Sequence, residues 1–246
     1  MTTDTCTEQR FLDDVKGHKL TILRDNGVDR HIRFKRPNGS CYWFDIITYP
    51  GRLIIDGDCG TYVFARIEDM FEFFRMRDND YNKNPNGLSI NPSYWGEKLR
   101  SVSNRGYGKG AIKNFSSDKF DRKVKEYFDT HFEDEIAGDA LLVEDASDDY
   151  PLTAQDNTGI SERKTRRDEI WSEIKDQVLG RDNEHEAYQA AYDFEEQGFQ
   201  FQDFHEYRCE VYEFSYLWNC YAISYAIREY DKLKVTASVP AASIEP

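Results

Sequence analysis

The chain lacks the short signatures that mark most catalytic and metal chemistry, and each lack removes a class of function. Its five cysteines, Cys6, Cys41, Cys59, Cys209 and Cys220, are odd in number, scattered and without a Cys-x-x-Cys pair, which reads as a protein of a reducing cytosol. No Glu-x-x-His occurs, so the ligand pattern of a di-iron bundle is missing. His185 between Glu184 and Glu186, and His205 near Asp203 and Glu206, therefore read as exposed or hydrogen-bonded helix residues, and neither a metal nor a cofactor is expected. Long apolar runs are also missing: the best, near Leu217–Ile227, is interrupted by Asn219 and Ser224 and flanked by Glu213 and Arg228, well short of the about 18 clean residues a span needs. Met1–Gln9 has no secretory character, and an acidic chain is repelled by anionic lipid, so no membrane partner is expected.

What the chain has in abundance is charge, unevenly placed. Residues 1–117 hold 18 Lys+Arg against 15 Asp+Glu and residues 118–246 hold 14 against 31, so the net −14 divides into +3 and −17. Such a distribution bears on partners and steering more than on fold. The densest part is Glu133–Asp149, with eight acids, Glu133, Asp134, Glu135, Asp139, Glu144, Asp145, Asp148 and Asp149, and no base. With its continuation through Gly159 it reads as a solvated linker. Its sharper reading is a phosphate-like surface for a basic, nucleic-acid-binding protein, weakening with salt.

Hydrophobic residues make up 39% of the chain, a low share, but 16 Phe, 16 Tyr and 4 Trp bring large buried areas and predict a folded protein. A length of 246 residues suits one large domain or two small ones. Short runs at 18–24, 30–36, 42–49, 52–56 and 61–66 are separated by turn signals such as Asp25-Asn26-Gly27 and Tyr49-Pro50-Gly51, which predicts an antiparallel meander. A short helix over 68–75 is expected to cover its apolar face, and another is expected over 93–100. Ser117 or Asp118 is placed to cap a helix through Phe132, and helical spacing returns over 161–179, 184–196 and 205–230. The expected class is α+β: residues 1–115 a sheet with short helices, 116–234 a mainly helical region with an acidic linker near 133–159, and 235–246 a disordered tail. Two apolar stripes on the last helix, one through Tyr207, Val211, Phe214, Trp218, Tyr221 and Tyr225, place it at the centre of the C-terminal packing or in a homodimer interface.

Three local motifs invite chemistry and fall short. Asp56-Gly57-Asp58-Cys59-Gly60 resembles a calcium loop, but Thr61 and Ile67 stand where an EF-hand needs Gly and Glu, leaving a hairpin turn. Cys59 has no anchored base in the sequence. Gly106-Tyr107-Gly108-Lys109-Gly110 lacks the Lys-Ser/Thr ending of a phosphate loop, although it leaves Arg105 and Lys109 free to swing toward an anion. Strand 30–36 carries Arg30, Arg33, Lys35 and Arg36. With Tyr42 and Trp43 these form either a basic, aromatic surface for single-stranded nucleic acid or an edge strand protected by charge.

The stretches YPGRLIIDGDCGTYVFARIEDMFEFFR (49–75), INPSYWGEKL (90–99) and FQDFHEYRCEVYEFSYLWNCYAISYAIREYD (201–231) resemble uncharacterised conserved proteins encoded by tailed phages and prophages. The resemblance implies an accessory protein in the host cytoplasm, without assigned chemistry. Together with the −17 half, it leads to the expectation of a non-enzymatic binder of a host protein, most concretely a defence nuclease or CRISPR-type complex. Nucleic-acid binding through strand 30–36 and the 105–110 loop is the alternative. An enzyme whose site gathers distant residues such as Asp58, Cys59 and His205 is a third reading.

Overall fold

The structure is a computed structural model that describes residues 5–76, 83–84, 87–103, 112–144 and 151–238. In chain order it contains α1 (Glu8–Asp14), β1 (Lys19–Asn26), β2 (Asp29–Lys35), β3 (Phe44–Tyr49), β4 (Arg52–Gly57), β5 (Gly60–Phe64), α2 (Met70–Phe74), α3 (Pro92–Gly96), β6 (Leu99–Ser103) and β7 (Lys113–Phe115). There follow α4 (Ser117–His131), α5 (Glu133–Glu144), α6 (Ala154–Gln177), α7 (Glu184–Asp193), β8 (Glu195–Glu196), β9 (Phe199–Gln200), a 3-10 turn (Phe204–Glu206), β10 (Glu210–Tyr212) and α8 (Phe214–Ser238). This is the α+β class expected. The chain divides into two units with boundaries at Asn114/Phe115 and Val211/Tyr212, so α8 belongs with the N-terminal sheet. The helical unit runs from Phe115 to Val211.

β1 to β6 form one sheet in sequence order, each strand antiparallel to the next. Connections this short permit nothing else. Cross-strand register aligns Ile32, Ile46, Ile55 and Tyr62 in one row and Phe34 with Phe44 in another. Every one of these residues is buried. The turn at Gly57 follows from a close approach: a Cβ there would stand 2.2 Å from the Trp43 carbonyl oxygen, which accepts from Asp58 N at 3.1 Å. The Asp-Gly-Asp-Cys-Gly motif is thus the β4–β5 hairpin.

The buried face of the sheet is covered by α8. Trp218 meets Phe44 edge-on at 5.6 Å, Tyr216 lies 5.8 Å from Tyr62, and Tyr225 lies 5.4 Å from Phe34. Two polar side chains of α8 that enter this layer find partners there, as burial demands: Trp218 Nε1 donates to Asp14 Oδ2 at 3.2 Å, and Asn219 Nδ2 donates to the carbonyls of Cys59 and Ser215 at 2.9 and 2.7 Å. Tyr216, Trp218, Cys220, Ile223 and Ile227 are buried within the chain and belong to its core.

Arg30 closes one end of this layer. Its guanidinium donates twice to Asp69, both at 2.9 Å, and lies 4.6 Å from the Phe71 ring and 5.7 Å from that of Tyr230. Asp69 also caps α2 by accepting from Phe71 N at 2.9 Å. One carboxylate thereby satisfies a buried cation and sets the start of the helix.

In the second unit α4 begins at Ser116, whose hydroxyl accepts from Lys119 N at 3.2 Å. Phe120, Val124 and Phe128 of α4 pack with Ile170 and Ile174 of α6, with Ala187 and Ala191 of α7, and with Phe194, Phe199, Phe201 and Phe204. Tyr188 ties the returning chain, donating to the Tyr207 carbonyl and accepting from Cys209 N at 3.3 Å.

Four boundaries differ from expectation. The helix expected over 93–100 ends at Gly96 because Leu99–Ser103 pairs with β5 as an edge strand. The helix expected from His205 starts at Phe214, since Asp203 takes a left-handed φ of 51° and residues 210–212 pair with β7. The linker read over 133–159 contains α5 and the start of α6. The tail expected from Val235 is helical through Ser238, and 239–246 lie outside the described residues.

Replacing Asp69 by Ala is expected to cost about 3 kcal/mol in denaturant unfolding, because Arg30 is left charged and buried. Adding Arg30→Met should recover part of the loss. A loss below about 1 kcal/mol, the range of exposed pairs, would show the pair to be peripheral.

Candidate protein-interaction surface on α5 and α6

α4 stops at Phe132, which is buried and bends the backbone to φ −102° and ψ 10°. Helical bonding resumes at once, Ile136 N donating to the Phe132 carbonyl at 3.0 Å. The next 12 residues, α5, begin with Glu133, Asp134 and Glu135, whose charges suit the positive end of the helix dipole. α6 starts at Thr153, which forms a reciprocal capping box with Asp156. Its 24 residues bury only Ile170 and Ile174, both in the C-terminal part. The N-terminal part of α6 and all of α5 therefore form an arm outside the aromatic core of their unit.

Two ion pairs hold the arm together. Arg163 Nε donates to Asp139 Oδ1 at 3.0 Å, and Arg166 Nη1 lies 3.5 Å from Glu135 Oε1. The pairing runs upward on α6 as it runs downward on α5, so the two helices are antiparallel. Arg166 also donates to the Gln197 carbonyl at 3.1 Å and covers the Phe132 ring at 5.4 Å, which anchors the base of the arm.

The outward surface of α5 is as apolar as it is acidic. Ile136, Leu141, Leu142 and Val143 are 43, 60, 40 and 56% exposed, and no residue of the helix is buried. Glu133, Asp134 and Glu144 are exposed, whereas Asp139 and Glu135 are partly covered and paired. Of the eight acids expected to form a partner surface, Asp145, Asp148 and Asp149 lie outside the described residues. The four aliphatic side chains and the two arginines of α6 were not among the residues singled out from the sequence. The signal for them is the run Ile-Ala-Gly-Asp-Ala-Leu-Leu-Val, which has one charge in the middle of an acidic segment.

The arginines of the basic strand are engaged within the protein. Arg33 donates twice to Asp45 at 2.7 Å, and His31 Nε2 lies 2.9 Å from the same carboxylate. Arg30 is the buried partner of Asp69, and Arg36 donates to the Lys16 carbonyl at 2.9 Å. Lys35 is exposed and, among the described residues, makes no ion pair or side-chain hydrogen bond. Arg105 and Lys109 lie outside the described residues. The cations of this strand are thus directed at the protein's own carboxylates and carbonyls.

The remaining candidates are also separated or muted. Burial pushes the Cys59 thiol up to about 12, far from a thiolate at neutral pH. Asp58 and Cys59 belong to the sheet unit and His205 to the helical one. His185 and His205 share the edge of an open recess of about 500 Å³ with Tyr188, Arg208 and Glu210. Among the described residues no three His, Cys, Asp or Glu side chains are grouped to hold a metal, and no helix is long and apolar enough to cross a membrane. Neither protein-family models, nor curated proteins, nor solved structures give a match to this chain.

Asp45 and Asp69 give the protein an acid limit. Burial disfavours the charge of each, but hydrogen bonds from Arg33 and His31 to Asp45, and from Arg30 to Asp69, outweigh it and hold both carboxyls below their ordinary range. A lowered folded pKa contributes stability that is complete above the unfolded value, about 3.9, and is lost as pH falls through the folded one. The urea midpoint should therefore drop as pH goes below about 4, and Asp45→Asn should flatten that drop while lowering the plateau above it. An identical pH profile for the variant would remove Asp45 from the explanation.

Proposed function

We propose that this protein acts by binding another protein through the α5–α6 arm, without chemistry of its own. The observation that carries the reading is that α5 buries none of its residues while exposing Ile136, Leu141, Leu142 and Val143 among acids. Apolar surface left in water forgoes about 25 cal/mol per Å² that a partner's contact would recover, and contiguous exposed aliphatics mark interaction sites.

The reading modifies the phosphate-mimic expectation. Glu135 and Asp139 are tied to arginines, so the acidic contribution of α5 comes from Glu133, Asp134 and Glu144 at its ends. Those charges steer a basic partner from a distance, while the aliphatics between them supply close contact. The resemblance to phage-encoded proteins suggests the setting: a host protein, most concretely a nucleic-acid-binding defence complex in the host cytoplasm, disabled by occupation of its basic surface.

Expression in hosts carrying a defined nuclease or CRISPR-type system is expected to restore phage plating. Leu141→Asn with Val143→Asn should abolish the effect, and Glu133→Gln, Asp134→Asn and Glu144→Gln together should weaken it. Pull-down of the defence complex by the wild-type chain, lost with the same variants at equal helix content, is the matching biochemical readout. Plating and recovery unchanged by both sets of substitutions would overturn the reading.

A further inference from the structure

Resting on that reading of the arm, we propose that α5 receives an amphipathic helix with basic flanks, which docks along the flank of α5 beside the one that meets α6. Glu135 and Asp139, one turn apart, define the side that meets the arginines of α6. At about 100° per residue around the helix, Ile136, Ala140 and Val143 fall on a neighbouring stripe at i, i+4 and i+7. A small alanine between larger aliphatics makes a shallow hole into which another helix places its own side chain.

Size and charge choose the occupant. α5 has 12 residues, about 18 Å at about 1.5 Å per residue, which matches three turns of a helix anchored at i, i+3 or i+4, and i+7. Acids stand at both ends of α5, Glu133 and Asp134 at one and Glu144 at the other, and α5 contains no base. A docking helix is therefore complementary when Lys or Arg flank its apolar side. A second copy of this chain is the competing occupant. It is opposed by the net −14, with −17 in the half that carries the arm, since like charge on this scale repels association. Nucleic acid and anionic lipid are opposed by the same sign.

The test uses the full chain and three fluorescein-labelled peptides of about 18 residues: Leu and Lys with Leu at helical-stripe spacing, the same composition scrambled, and Leu and Glu at the stripe spacing. In anisotropy titrations the Leu/Lys stripe should bind at least about tenfold more tightly than the scramble, and the Leu/Glu stripe should not bind. Ile136→Asn with Val143→Asn should weaken the stripe peptide by about tenfold. The side chains replaced are exposed, so circular dichroism should be unchanged. Glu133→Gln with Asp134→Asn and Glu144→Gln should reduce the loss of binding between about 0.05 and about 0.3 M salt. Equal binding of stripe and scramble, or no effect of the Asn substitutions, would overturn the inference. A dimer in sedimentation velocity that these substitutions dissolve would give the stripe to a second copy and also overturn it. If the peptides fail while the defence complex is still captured by the wild-type chain and lost by the arm variants, the docking helix falls and the protein-binding reading stands. If capture is also insensitive to the arm, both fall.

Discussion

The fold of the sheet unit depends on one constraint: a six-stranded meander has one strongly apolar face, and the chain must supply a cover for it. α1 and α2 are too short to do so. The cover is α8, which enters more than a hundred residues after β6 and places Tyr216, Trp218 and Ile223 against the sheet. Everything between β7 and β10 is thereby an excursion that must return the chain to the same unit. The excursion carries its own aromatic core, from Phe120 to Phe204, and can be decorated without disturbing the sheet. It is this segment that carries the exposed aliphatics of α5.

Charge is arranged to the same effect. In the sheet unit, the cations that a sequence reading offers to a nucleic acid are directed inward or sideways, Arg30 to Asp69 and Arg33 to Asp45. In the helical unit, two acids of α5 hold the arm shut against α6, while those at its ends face water. The formal +3 and −17 of the two halves are thus unlike in use as well as in size. In the first, Arg30 and Arg33 are engaged in holding structure, and in the second the acids at the ends of α5 leave a field around a small apolar surface.

How much of this is legible in the sequence varies with the length over which a pattern is enforced. The five strands from His18 to Arg66 can be read because Gly, Asn and Asp turns leave each run a single role. β6 escapes because Arg100 and Ser101 make it a polar edge strand joined to helical-looking Tyr94 and Trp95. The start of α8 is misread for a physical reason: Tyr207 and Val211 continue its 3 and 4 spacing, but Tyr207 packs against Tyr127 and Phe204 of the other core, and the backbone between is turned and extended. α5 is hidden by its own charge. Its acids dominate any composition window, although Ile136 to Val143 is nearly uncharged.

The stability of the arm follows from these choices. A helix of 12 residues is marginal in water by itself, because nucleation is costly and propagation gains little over so short a length. α5 is sustained by what adjoins it: continuity with α4 through Phe132, acids at its first turn, and two ion pairs to α6. It buries none of its own side chains, so the arm belongs among the elements of lower local stability, as binding elements generally do. A helix docked along Ile136, Ala140 and Val143, as proposed, would supply the burial that α5 lacks and would order the arm as well as occupy it. Under that proposal recognition and completion of the fold would be one event.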